Sequence, residues 1–285
     1  LHASIGTMSG CVLNMILDPV FIMPWGLDMG ASGAGCAPFV SNCVACLYFF
    51  VLLLIRRKQT FISLSPRRLQ LRREVVLGVC AVGVPASIQN LLNVTGMTIL
   101  NNFTSAFGAD AIAAMGITQK IYMIPMYVAL GLSQGIMPLI SYNYSCKNYK
   151  RMKDTLFFTM KITLIFMAVV TVLFYLGAGV LTGAFMKDVQ VVAYGTRFMR
   201  GFCLGLIFLC VDFIAVGVFQ ATGKGKEALL FAIMRKIVLE IPALYVLNWL
   251  FPLYGLAYAQ FVAEVVLAVA AVWVLTRMFR KLTKQ

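Results

Sequence analysis

Asp18, Asp212 and Glu240 are acidic residues set inside long apolar runs. A carboxylate at the centre of a bilayer costs about 2.5–3.5 kcal/mol on insertion scales, so it faces a cavity or a partner. Asp18 lies in Val12-Leu13-Asn14-Met15-Ile16-Leu17-Asp18-Pro19-Val20. Asn14 comes four residues earlier, which places both side-chain oxygens on one helix face, about 6 Å apart along the axis. A carboxylate with an amide carbonyl is hard-oxygen chemistry, suited to a sodium ion or a proton. Pro19 has no N–H, so the Met15 carbonyl is left free as a further ligand. The plain alternative is an Asp near a helix end that reaches the interface. Asp212, in Leu209-Cys210-Val211-Asp212-Phe213-Ile214, has apolar neighbours on both sides and should face the bundle interior, as a cation site or as half of a structural ion pair. Glu240, in Val238-Leu239-Glu240-Ile241-Pro242, reads equally as a cavity residue and as the partner of Arg235 or Lys236.

Other polar residues at membrane depth line a cavity or join helices. Lys120 is placed to counter Asp212 or to hold an anionic group. Gln89, Asn90 and Asn93 form a polar stripe after Gly83-Val84-Pro85, and Gln134 falls between Pro125 and Pro138 on a helix that glycines should break. Such stripes serve a wet cavity or helix–helix hydrogen bonds equally well. The 16 Met and 21 Phe are packing and lipid-facing residues first, and would also suit a soft cavity for varied greasy ligands. His2 is the single histidine, which excludes histidine metal clusters and histidine-based triads. Cys43 and Cys46 form an isolated C-x-x-C in an apolar helix and read as small packing residues.

The elements that must position these groups are membrane helices. Of 285 residues, 61% are hydrophobic and 12% charged, with a mean hydropathy of +0.89. That excludes an ordinary soluble domain, a disordered chain and a disulfide scaffold. A hydrocarbon core of about 30 Å needs roughly 20 apolar residues per helix. Eight segments qualify, near 5–23, 30–55, 75–104, 111–143, 155–183, 190–220, 228–250 and 254–278. They are too long for barrel strands and lack their alternation, so the fold class is all-α and polytopic.

The net charge of +14 does not point to nucleic acid. The basic residues gather in the gaps near 56–73, 144–153 and 221–236 and in the tail, whereas the intervening loops hold only Lys187. This is the positive-inside pattern, and it predicts that both termini of the chain are cytoplasmic. The long basic 56–73 connection divides two helices (1–55) from six (74–285), as a repeated six-helix unit would require. An offset of 222 residues aligns Gly33, Ala37, Phe39 and Val40 with Gly255, Ala259, Phe261 and Val262, and Asp18 with Glu240. Helices one and two would then match seven and eight, with about 150 residues of a first repeat expected upstream.

The run Asn14-x-x-x-Asp18-Pro19-x-Phe21-Ile22 followed by Gly30-Ala31-Ser32-Gly33-Ala34 resembles the middle of the multidrug and toxic compound extrusion (MATE) family. So do Gly83-Val84-Pro85, the run Gly131-Leu132-Ser133-Gln134-Gly135-Ile136-Met137-Pro138 leading to Asn148-Tyr149-Lys150-Arg151, and Gln220-Ala221-Thr222-Gly223-Lys224. The likeness covers the whole chain and is nearest the DinF-like branch. It implies a twelve-helix, two-lobe transporter of which this chain supplies eight helices. On that map 1–55 are the last two helices of the amino-terminal lobe, 56–73 is a cytoplasmic linker, and 74–285 is the six-helix carboxyl-terminal lobe.

The resemblance further implies antiport: a sodium ion or proton enters as amphipathic organic cations leave, by alternating access across the inner (plasma) membrane. It implies no cofactor, no enzymatic activity and a monomer when full length. Asn14 and Asp18 match the family's amino-lobe cation site, and Asp212 matches a carboxyl-lobe acid. Gln89, Asn93, Lys120, Gln134 and Glu240 are the expected substrate-cavity residues. Two departures stand out: Pro38 replaces a Thr that often follows the Gly-Ala motif, and Asn93 falls near a seventh-helix acid of other branches. A flippase for lipids or lipid-linked oligosaccharides, with Lys120, Arg197 and Arg200 around an anionic head group, is the rival reading; a nonfunctional truncated transporter is another.

Overall fold

The computed structural model describes residues 2–24, 26–56 and 72–282. Most of the basic 56–73 connection lies outside the described residues. The chain forms two compact units, Leu1–Arg72 and Arg73–Gln285, and the described parts are helical throughout apart from short connections. Seven described helices are long and apolar enough to cross a membrane.

The first unit is a hairpin of α1 (His2–Ile22) and α2 (Gly30–Ile55). Lipid tails are as apolar as leucine, so such helices associate by close packing of small residues. Gly6 and Gly10 on α1 meet α2 around Tyr48, Phe49, Ser41 and Ala45; a Cβ on Gly10 would sit 3.0 Å from that of Ala45. On α2 the buried positions are Gly33, Ala37 and Ser41, with a helical spacing of four. Cys43 and Cys46 are exposed free thiols, contrary to a packing role, because the small residues of that register already fill the interface. Pro19 stays within α1, and the helix closes with Met23 N–H donating to the Pro19 carbonyl at 2.9 Å.

The second unit comprises α3 (Arg73–Ser105), α4 (Ala109–Ser145), α5 (Tyr149–Phe185), α6 (Val189–Ala221), α7 (Gly225–Ile233), α8 (Ile241–Leu250) and α9 (Gly255–Leu282). The centre is α6, packed on α4, α5 and α9. Its glycines let neighbours approach: Gly201 faces Ala257, Gly205 faces the Phe261 backbone, and Gly217 faces Ser133. The charged starts of α5 and α6 lie beyond the apolar spans expected there, because capping, not hydropathy, begins a helix. Asn148 Oδ1 accepts from Arg151 N–H at 3.2 Å, and Asp188 Oδ1 accepts from Gln190 N–H at 2.8 Å and Val191 N–H at 3.2 Å. Gly223, at φ +74°, ends α6: Lys224 N–H donates to the Phe219 carbonyl at 2.8 Å and Gly223 N–H to that of Gln220 at 3.1 Å. Gly131 and Gly135 do not break α4, which runs unbroken through Pro125 and Pro138.

The eighth expected segment, 228–250, is a composite rod. Between α7 and α8 the chain winds as a π-helix over Met234–Glu240. Pro242 follows at the start of α8. Its ring crowds the carbonyl four residues back and donates no hydrogen bond, and a wider turn relieves both. The wide turn also buries Arg235, Lys236 and Glu240 together. Arg235 and Lys236, counted in the sequence as interfacial positive charge, therefore belong to the interior.

Candidate functional site

The second unit encloses a cavity of about 410 Å³ among α3, α4, α6, α9 and the π-helical turn. Its wall mixes thioethers and aromatic rings (Met97, Met123, Met126 and Phe213 among them) with side-chain amides. The amides come from four helices: Gln89, Asn90 and Asn93 on α3, Gln119 and Gln134 on α4, Gln220 on α6 and Gln260 on α9. Some are tied to one another or to the wall. Gln220 Nε2 donates to Gln89 Oε1 at 3.4 Å, and Gln260 Nε2 to the Tyr122 hydroxyl at 2.8 Å. Ser133 donates to the Phe213 carbonyl at 2.6 Å, which pins α4 to α6 beside the cavity.

Behind and along this wall runs a buried charge network. Arg235 is its hub. One guanidinium nitrogen lies 3.1 Å from Asp212 Oδ2, and Nε lies 3.3 Å from Glu264 Oε1. A third contact goes to Asn93 Oδ1 at 3.5 Å, and the group stacks 5.2 Å from the Phe213 ring centre. Next to it in the chain, Lys236 Nζ sits 2.7 and 2.6 Å from the two oxygens of Glu240, four residues on. Asp212, Glu240 and Glu264 thus face Arg235 and Lys236. Three carboxylates against two cations leave one surplus negative charge among the described buried groups. Asp212 Oδ1 and both oxygens of Glu264 have no hydrogen-bond partner among the described residues. Low-dielectric surroundings make such a surplus costly, so a site of this kind gains by taking up a small cation.

Of the residues singled out in the sequence, Gln89, Asn93, Gln134 and Glu240 line the cavity. Lys120 does not: it is exposed on α4, outside the lining, and Arg235 rather than Lys120 counters Asp212. The reason is helical phase, since the buried face of α4 at that height carries Thr118, Gln119 and Tyr122. Asp212 is 1% exposed, in the interior as expected. Glu240 pairs with Lys236, not with Arg235. Glu264, 0% exposed on α9, was not singled out in the sequence. Its signal was the one that marked Asp212, a lone acid among Val262, Ala263, Val265 and Val266.

In the first unit, Asn14 and Asp18 are half-buried one turn apart on α1. Asp18 forms no ion pair among the described residues, and the Asn14 amide nitrogen is buried without a partner. This site has oxygens but no internal cation, the reverse of the Arg235 network.

Comparison with known proteins gives this arrangement a family. The Multidrug export protein MepA of Staphylococcus saprophyticus is 32% identical over 280 residues, 98% of this chain and 60% of that protein. That of Staphylococcus haemolyticus is 33% identical over 281 residues, with the same coverage. The chain therefore spans about 60% of the length of these relatives. Among solved structures, a MATE transporter in the straight conformation superposes with a TM-score of 0.89 at 22% identity, covering 99% of this chain and 63% of that one. The Vibrio cholerae MATE transporter VcmN in the bent form gives 0.83 at 19% identity, covering 98% and 62%. At these identities the superpositions speak for the polytopic helical fold. The MatE family model matches residues 85–246, more than half of the chain, including the cavity face of α3, Asp212 and the π-helical turn. By that match the chain belongs to the MatE family of membrane transport proteins.

Proposed function

We propose that the protein carrying this chain is a cation-driven antiporter that exports amphipathic organic cations from the cell by alternating access. The observation that carries this reading is the cavity of about 410 Å³, whose apolar thioether and aromatic wall is interrupted by amides and by the carboxylate of Glu240. Apolar walls hold greasy ligands of varied shape, and a few polar groups orient them. The two relatives named as multidrug export proteins support the same reading.

The coupling ion is a sodium ion or a proton. In the first unit it would meet the oxygens of Asn14 and Asp18, which have no internal counterion among the described residues. In the second it would meet the surplus negative charge shared by Asp212 and Glu264. Uptake at Asp18 neutralises a charge near the end of α1 and lets the chain bend at Pro19 or Pro24, which reshapes the pathway and expels the substrate. Inward release of the ion resets the cycle. The positive-inside pattern supports a plasma-membrane protein with the ends of this chain in the cytoplasm.

For the flippase reading, none of the three cations expected around an anionic head group lines the cavity: Lys120 lies outside it, and Arg197 and Arg200 stack on Tyr254 at 4.7 Å and Tyr175 at 5.4 Å. Arg235 and Lys236 do line it, but each is already paired with a buried carboxylate. The test is dye efflux from cells expressing the complete natural protein. Asp18→Asn should reduce export of a cationic dye to the background of cells without the transporter. Wild-type export by that variant would overturn the role of Asp18.

A further inference from the structure

We propose that Lys236 is a tethered stand-in for the transported cation: its ammonium occupies Glu240, and an organic cation binds there by displacing it. The inference rests on the export reading above and names the residues that set its selectivity.

Among the described carboxylates, Glu240 is the one on the wall of the cavity; Asp212 and Glu264 do not line it. Arg235 and Lys236 line the same wall, so a ligand cation reaches this carboxylate only beside its paired ammonium. Both Glu240 oxygens are already taken, at 2.7 and 2.6 Å, by one ammonium. The pair is buried, at 9% and 7% side-chain exposure, so it is little screened by water. With both oxygens taken, Glu240 has no open position for an organic cation while the ammonium stays in place. On this proposal the cation replaces the lysine there.

Two features make replacement feasible. Among the described residues Lys236 is ion-paired with Glu240 alone, whereas Arg235 next to it is fixed by two carboxylates. Lysine carries its charge on a flexible four-carbon stem, unlike the rigid fork of arginine. Gly96 of α3 faces the pair: a Cβ there would lie 3.1 Å from Lys236 Cδ, 3.2 Å from Nζ and 3.4 Å from Glu240 Oε1. The missing side chain lets α3 pack closely against the pair. The consequence is discrimination: weakly hydrated, greasy cations, which also gain from the apolar wall, can displace Lys236, whereas small hydrophilic amines cannot.

The experiment uses the complete natural protein in lipid nanodiscs and measures binding of tetraphenylphosphonium, with neutral triphenylphosphine oxide as control. Lys236→Met should bind the phosphonium about tenfold tighter, the factor that 1.4 kcal/mol represents, with the neutral compound unchanged. Lys236→Gln, which keeps a hydrogen bond to Glu240, should also tighten binding and serves if the Met variant does not assemble. Glu240→Gln should weaken phosphonium binding, and the double variant should match it rather than Lys236→Met. Unchanged or weaker phosphonium binding in the lysine variants overturns the proposal. Absence of dye export by the wild type would overturn the export reading alone, since tighter binding in Lys236→Met would still place a cation site at Glu240.

Discussion

The two units treat a membrane-buried carboxylate in opposite ways. On α1, Asp18 shares its face with Asn14, and no described cation answers it. In the second unit, Asp212, Glu240 and Glu264 are met by Arg235 and Lys236 from a single π-helical turn. On the reading proposed above, the first arrangement is neutralised by an external ion. The second carries most of its own counter-charge and is short by one. A site without an internal cation can be tuned by whatever ion is available. A site with internal cations resists ion entry until a side chain moves, which suits selection between competing cations.

Mutations should separate the two designs. The largest effect belongs to Asp18→Asn, which should abolish dye export while leaving the melting temperature of the purified protein close to wild type; a large drop in melting temperature would make Asp18 structural. Arg235→Met comes next. It strands Asp212 and Glu264 in the interior and should destabilise the protein by about 3–5 kcal/mol, the cost of breaking a buried pair. Thermal or denaturant unfolding in detergent would show it, and a wild-type midpoint would mean that neither acid is ionised. Asp188→Ala removes the acceptor for two backbone N–H groups at the start of α6, at a cost of about 1 kcal/mol by the same unfolding measurement. A null result would show that the central helix is held by packing alone. The smallest effect on stability is expected for Glu264→Gln. Arg235 keeps Asp212, Asn93 and the Phe213 ring, and the surplus charge disappears, so the midpoint should move by less than about 1 kcal/mol. Its dependence on sodium concentration or pH should nevertheless flatten; an unaltered dependence would remove Glu264 from ion coupling.

Asp212 and Glu264 show how far a sequence can be read for such a site. Each is a lone acid in an apolar run, and that pattern alone says it must face inward. Nothing in the pattern says which partner it meets. Lys120 was a reasonable counterion for Asp212 by depth, and it is exposed instead. Arg235 was a reasonable interfacial cation, next to Lys236 and close to a basic loop, and it is the hub. For Lys120 the physical origin is the rotation of α4; for Arg235 it is the π-helical turn before Pro242. Hydropathy windows assume a regular helix and assign charged residues near its end to water. A widened turn instead carries them inward.

By itself, the sequence determined the class of the protein: apolar length at bilayer scale requires helices, because a backbone in hydrocarbon must satisfy its own hydrogen bonds. It also determined the polar stripe of α3, since helical spacing fixes which side chains share a face; that Gln89, Asn93, Gln134 and Glu240 meet around one cavity was left open by the sequence and decided by the packing of their helices. The tertiary structure alone decided the pairing of charges. Partners on different helices meet according to the rotation and depth of each helix, and here a one-residue widening of a single turn places Arg235 between Asp212 and Glu264 and leaves Lys236 to Glu240.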